Sequence, residues 1–116
     1  MDARRRLGTL AVLALCMACV SASHHLQRIG NRTGPRPEAC TSPTIYTDRG
    51  PERPRETLAI VTAECARGRP EECRRHLQLG VCDAGGDAVI EVTDRIAAGV
   101  RRMVGTVVQY TDPPSP

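Results

Sequence analysis

The sequence contains no phenylalanine, no tryptophan and only two tyrosines among its 116 residues. Aromatic rings bring the most apolar area per buried side chain, so any core here must be built from Val, Ile, Leu, Ala and Cys. The same shortage excludes a platform on which nucleic-acid bases stack. Lysine is missing as well, and all 16 basic residues are arginine. No apolar run reaches the roughly 20 residues that a membrane-spanning helix needs. Spacings typical of metal centres are also lacking: there is no HxxxH, and none of Cys40, Cys65, Cys73 and Cys82 stands in a CxxC pair. The expected cofactor and metal content is therefore none.

What the chain does contain begins with an address. Met1 to Arg6 is short and basic, Leu7 to Val20 is an uninterrupted run of apolar and small residues, and polar Ser21 to His25 follows. That three-part order is the pattern of a secretory signal, expected over residues 1–18. Ala18-Cys19 resembles the end of a bacterial lipobox, in which a small residue precedes the cysteine that receives the lipid, and Cys19 is the expected lipidation site. The departure is Cys16, which stands where Leu or Val is usual. Ordinary cleavage before Ser23, after Val20-Ser21-Ala22, is the competing expectation. With Arg4, Arg5, Arg6 and Asp2 assigned to the exported signal, 13 arginines face 12 acids in the remainder. So balanced a charge is not the footprint of a nucleic-acid binder.

Residues 19–43 read as a lipidated N-terminus and flexible tether, since Ser21 to Pro43 holds three prolines and two glycines and shows no sustained apolar period. Within it, His24 and His25 read as adjacent exposed side chains rather than as metal ligands. A domain is expected over 44–111. Thr44 to Thr47 is β-prone and suits an edge strand, and the Pro- and Arg-rich segment after it interrupts both kinds of element. Thr57 to Cys65 alternates, with Leu58, Ile60 and Thr62 on one face and Ala59, Val61, Ala63 and Cys65 on the other. Arg69 to Ala84 reads as a helix: Pro70 takes the first position, Glu71 and Glu72 the first turn, and Gly85 follows the end. Cys73, Leu77, Val81 and Ala84 make its apolar stripe, while Arg74, Arg75 and Gln78 face away and His76 reads as a surface residue.

Ala88 to Ile96 and Arg101 to Tyr110 read as a β-hairpin, although Val89, Val92, Ile96, Val100 and Met103 also fall at helical spacing, so that 91–104 admits a helix. Residues 112–116 are expected to be a disordered tail.

The segments PERPRETLAIV (51–61), GDAVIEV (86–92) and GTVVQY (105–110), with a helix between the first two, resemble a family of small bacterial envelope lipoproteins of the Rcs stress-sensor kind and a related domain named for heavy-metal binding. Gly86 stands where the family has Ala. The resemblance spans about Thr44 to Tyr110. It implies an α+β fold, a small strand-helix-strand-strand sandwich, and favours the hairpin over the helix. It also implies disulfides and partnership with other envelope proteins.

An α+β domain of roughly 70 residues has a marginal core, and four cysteines are available to staple it. Cys73 and Cys82 lie about 13 Å apart along one helix, beyond the reach of a disulfide. Two pairings remain: Cys65–Cys73 with Cys40–Cys82, or Cys65–Cys82 with Cys40–Cys73. Such bridges require an oxidising compartment. Two classes of function follow. One is a non-catalytic lipoprotein, anchored by its N-terminal lipid and facing the periplasm, that binds other envelope proteins or monitors the envelope. The other is a soluble periplasmic or secreted protein that handles metals or thiols. No enzyme activity is expected, because Ser21, Ser23, Ser42 and Ser115 fall in the expected tether or tail, where no rigid base could activate them.

Overall fold

A computed structural model describes residues 20–29 and 40–112. The expected signal at 1–18, the expected lipidation site Cys19, residues 30–39 of the expected tether and the expected tail from 113 lie outside the described residues. The elements in chain order are β1 (Ser23–Arg28), β2 (Thr44–Ile45), β3 (Arg55–Ala66), α1 (Pro70–Ala84), β4 (Ala88–Ala97) and β5 (Val100–Tyr110). The strands form one sheet in the order β1-β3-β5-β4-β2. All neighbours are antiparallel except β2 and β4. One helix packed on one face of this sheet makes the domain α+β, with the strand-helix-strand-strand order as its centre.

The helix forms where its signals lie. Pro70 opens it, Glu71 and Glu72 sit in its positively polarised first turn, and Gly85 ends it in the left-handed conformation at φ 77°. Gly86 N–H donates to the Val81 carbonyl at 2.9 Å and Gly85 N–H to that of Cys82 at 3.1 Å, the two bonds of a Schellman cap. Cys73, Leu77, Val81 and Ala84 are buried against Ala59, Val61, Ala63 and Cys65 of β3 and Met103 and Val107 of β5. Pleating puts these sheet residues on one face. On the far face Tyr46 and Tyr110 pack over Ala88, Ile90 and Val108 at the β2 end.

Three readings of the sequence are corrected. The tether is not irregular throughout: Ser23–Arg28 is a strand paired with β3 from Ser23↔Glu64 to Arg28↔Ala59. Its sequence, SHHLQR, has no β-branched residue and one aliphatic one. The open edge of β3 supplies the hydrogen bonds that make it a strand, and edge pairing overrides weak propensity. The domain therefore begins near Ala22, which packs against the core, rather than at 44. At the other end Asp112, expected in the disordered tail, accepts two hydrogen bonds from Arg53 at 2.8 and 3.1 Å. Gln78, expected to face away, donates to the Pro43 carbonyl at 3.1 Å and so holds the approach to β2 against the helix.

Segment 91–104 is a hairpin. Its two-residue turn places Ala98 at φ 52° and Gly99 at φ 78°, the pair of positive angles that a type I′ turn requires. The helical spacing arises because the alternation of β4 is broken by a bulge between Ile90 and Thr93, where Glu91 takes φ 53°. Glu91 and Val92 N–H turn there to the carbonyls of Asp48 and Tyr46. Ala98 is strained in its turn, so Ala98→Asn is expected to raise stability by about 0.5–1 kcal/mol, read as a higher midpoint of thermal unfolding. An unchanged or lowered midpoint would contradict that turn.

Candidate functional site

The four domain cysteines form two disulfides. Cys65, near the end of β3, is bonded to Cys73 in the first half of α1, with 5.4 Å between Cα atoms. Cys40 is bonded to Cys82 with 5.6 Å between Cα atoms. Of the two pairings open from sequence, the one that closes the β3–α1 turn is formed. The first bridge is fully buried in the core, whereas both residues of the second are half-buried. None of these four sulfurs is a free thiol.

The polar cluster of interest lies where β1 crosses the side of α1. His24 and Leu26 alternate toward the helix because β1 pairs with β3 in that register, His24 opposite Ala63 and Leu26 opposite Val61. His76, Gly80 and Asp83 lie along the facing edge of α1 at spacings of four and three. Gly80 makes the approach possible, since a Cβ there would stand 2.4 Å from Val61 Cγ2 and 3.6 Å from His24 Cδ2. The His24 ring spans the gap: its Nε2 is 3.0 Å from Asp83 Oδ2 and its Nδ1 is 2.7 Å from His76 Nδ1. Both histidines were expected to be exposed; His24 retains 20% of its side-chain exposure, and His76 is half-buried. His25 points to the opposite face and is exposed, as its alternation demands.

The hydrogen bonds define protonation states. A carboxylate only accepts, so His24 Nε2 carries a proton and donates it to Asp83. Two Nδ1 atoms at 2.7 Å have room for a single proton between them, so the pair cannot carry a proton on both of these nitrogens in this geometry. With both rings neutral, His76 Nδ1 donates to His24 and leaves His76 Nε2 as a free lone pair. His76 lines a cleft of about 520 Å³ together with Val20, Ser21, Ala22, Arg69, Glu72 and Arg75. Arg69 donates to Glu72 at 3.1 Å across its rim.

Burial is the largest cause holding the His76 pKa below the ordinary histidine value of 6.5; His24 and Arg75 lower it further, and Glu72 opposes them. The unfolded chain therefore binds this proton more readily than the folded one. The stability that neutral His76 contributes is complete above about pH 6.5 and is lost as the pH falls through that value toward the folded pKa. Thermal midpoints measured from pH 7.5 to 5 are expected to fall, and His76→Gln to flatten that decline. Equal slopes for the two proteins would show that His76 does not carry the effect.

Among the described residues no group of three or more His, Cys, Asp and Glu side chains is placed to hold a metal ion. No helix among them is long and apolar enough to cross a membrane. Compared with known proteins, the chain matches no family model, no curated protein and no solved structure. The class that fold and site define is thus a disulfide-stapled α+β domain with an Asp-His-His cluster at the edge of its sheet.

Sequence reasoning missed this cluster because His76 and Asp83 are separated by 52 and 59 residues from His24. The only available signal was the i, i+7 placement of His76 and Asp83 about Gly80, on one side of a readable helix.

Proposed function

We propose that the chain is a non-catalytic bacterial envelope lipoprotein, anchored through a lipid on Cys19 and facing the periplasm, that binds other envelope proteins or reports the state of the envelope. The observation that carries this reading is the pair of disulfides behind a signal-like N-terminus. A domain without Phe or Trp has a stability reason to be stapled, and staples persist only where thiols are oxidised. The resemblance to Rcs-type lipoproteins points to the same compartment.

The position of β1 adds to the proposal, because Ser23 lies only four residues after Cys19. An acylated Cys19 would hold the folded domain against the bilayer rather than at the end of a long tether. The soluble metal- or thiol-handling alternative needs thiolates, and four of the cysteines are occupied in bridges.

Cells expressing the chain are expected to incorporate a fatty-acid analogue into it, with the label lost in Cys19→Ser. Labelling that persists without Cys19, or is absent from the unaltered chain, would remove the anchor. Thiol titration of the unreduced protein decides the alternative: four free thiols that bind zinc tightly would favour it over the lipoprotein.

A further inference from the structure

One end of the domain gathers the start of β1, the β3–α1 turn and the tip of the β4–β5 hairpin. Arg67 N–H donates to the Gly99 carbonyl at 3.1 Å, and Arg101 Nε to the Arg67 carbonyl at 3.2 Å, so turn and tip are tied together. Ser23, Glu64, Arg102 and Arg95 are cross-strand neighbours in one row at this end. Arg67, Arg69, Arg74 and Arg75 lie in the turn and first half of α1, and Arg95, Arg101 and Arg102 flank the tip. Four carboxylates accompany them, those of Glu64, Glu71, Glu72 and Asp94. The far end reverses the balance. There Arg28, Arg49, Arg53 and Arg55 meet Asp48, Glu52, Glu56, Asp83, Asp87, Glu91 and Asp112. Described residues with no net charge are thus divided into a basic and an acidic end.

The basic end also carries exposed apolar surface. The hairpin tip, Ile96-Ala97-Ala98-Gly99, is exposed throughout, with Ile96 at 45%. On the open face a hollow of about 210 Å³ is lined by Arg95, Ala97, Val100 and Arg102. Arg95 and Arg102 stand directly opposite each other in the ladder, a like-charge pairing that ordinarily disfavours a hairpin. Arg102 is offset by Glu64 at 2.9 Å, and no ion pair is formed by Arg95 among the described residues. Arginines around a small apolar tip match an interface with anionic headgroups above and acyl chains below.

We infer that this basic, apolar-tipped end is a lipid-binding surface that lays the domain on an anionic bilayer, with the hairpin tip entering the headgroup layer. The inference rests on the lipoprotein reading for its geometry: Val20, on the rim of the cleft at this same end, is the residue next to Cys19. A lipid there brings the basic end to the membrane and turns the acidic end toward the periplasm, where it is open to partners.

The test uses the mature chain carrying Cys19→Ser, so that no acyl group contributes. It is sedimented at 20 mM salt with vesicles of phosphatidylethanolamine and phosphatidylglycerol, or of phosphatidylcholine alone. The expected result is at least tenfold stronger partitioning to the phosphatidylglycerol vesicles, abolished at 0.5 M salt by screening. Arg67→Gln and Arg95→Gln should each weaken it about fivefold, the factor for one arginine near an anionic surface. Ile96→Gln should weaken it severalfold, and Arg49→Gln at the far end should leave it unchanged. Far-UV circular dichroism of each variant verifies the fold. Equal partitioning to the two vesicle types, no partitioning to either, or equal losses for Arg49→Gln and Arg95→Gln would overturn the surface. Fatty-acid labelling of the unaltered chain separately reports the anchor, so failure of the surface is distinguishable from failure of the lipoprotein reading.

Discussion

On complete reduction the domain is expected to unfold cooperatively near or below 37 °C, with the oxidised form folded well above that temperature. The Cys40–Cys82 bridge spans 42 residues and the Cys65–Cys73 bridge spans 8. In the chain-entropy treatment these loops correspond to about 4 and 2.5 kcal/mol. Their sum is comparable to the whole stability of a domain of this size, at roughly 0.05–0.15 kcal/mol per residue. The core has little in reserve, because its largest fully buried side chains are Leu77, Val61, Val81, Val89, Val107 and Val108.

The two bridges should not open together. Cys65 and Cys73 have no exposed surface, while Cys40 and Cys82 are half-buried, so mild reductant reaches the Cys40–Cys82 bridge first. Opening it releases the short β2 arm, which adds two residue pairs at the sheet edge, and the helix stays packed. The Cys65→Ala/Cys73→Ala pair is expected to cost about 3–5 kcal/mol, more than its short loop alone implies, since it also removes buried contacts between β3 and α1. Alkylation and peptide mass mapping over a reduction series, with unfolding followed by circular dichroism, measure both effects. Prior loss of the buried bridge, or a reduced form as stable as the oxidised one, would show that the core stands without staples.

The second large effect is expected at Gly80. Alanine in an exposed helix interior is better than glycine by about 1 kcal/mol, so a helix seen alone would gain from replacement. Here a Cβ would lie 2.4 Å from Val61 Cγ2, and Val61 is β-branched and fully buried. It cannot swing aside cheaply. Gly80→Val should therefore destabilise the domain by about 2–3 kcal/mol, as overpacking does. It should also lift α1 from β1, separating His24 from His76 and Asp83, and so weaken the pH dependence assigned to His76. Denaturant midpoints at pH 7.5 and 5.5 test both parts. A neutral substitution would mean that the helix and sheet are not in contact along this edge.

Both predictions concern residues whose identity was visible while their partners were not. The helix from Pro70 to Ala84 was readable nearly to the residue, because proline, two glutamates, a four-four-three stripe and a terminal glycine are local signals. The alternation of β3 was equally plain. Strand β1 was hidden, since nothing in Ser-His-His-Leu-Gln-Arg favours a strand until the edge of β3 is beside it. The hairpin was ambiguous for a related reason: a bulge at Glu91 shifts the alternation by one residue, and a shifted alternation imitates helical spacing. The cysteine pairing was narrowed to two by the length of a helix, but the choice between them depended on where Cys40 meets the packed helix.

From sequence alone the α+β class and the need for cross-links could be argued, and an export signal expected, because each depends on composition or on contacts within a few residues. Tertiary structure decided the extent of the domain, the partners of the cysteines, the His24-His76-Asp83 cluster and the division into basic and acidic ends. Those depend on which distant segments share an edge or a face, and register between strands, not local propensity, sets that.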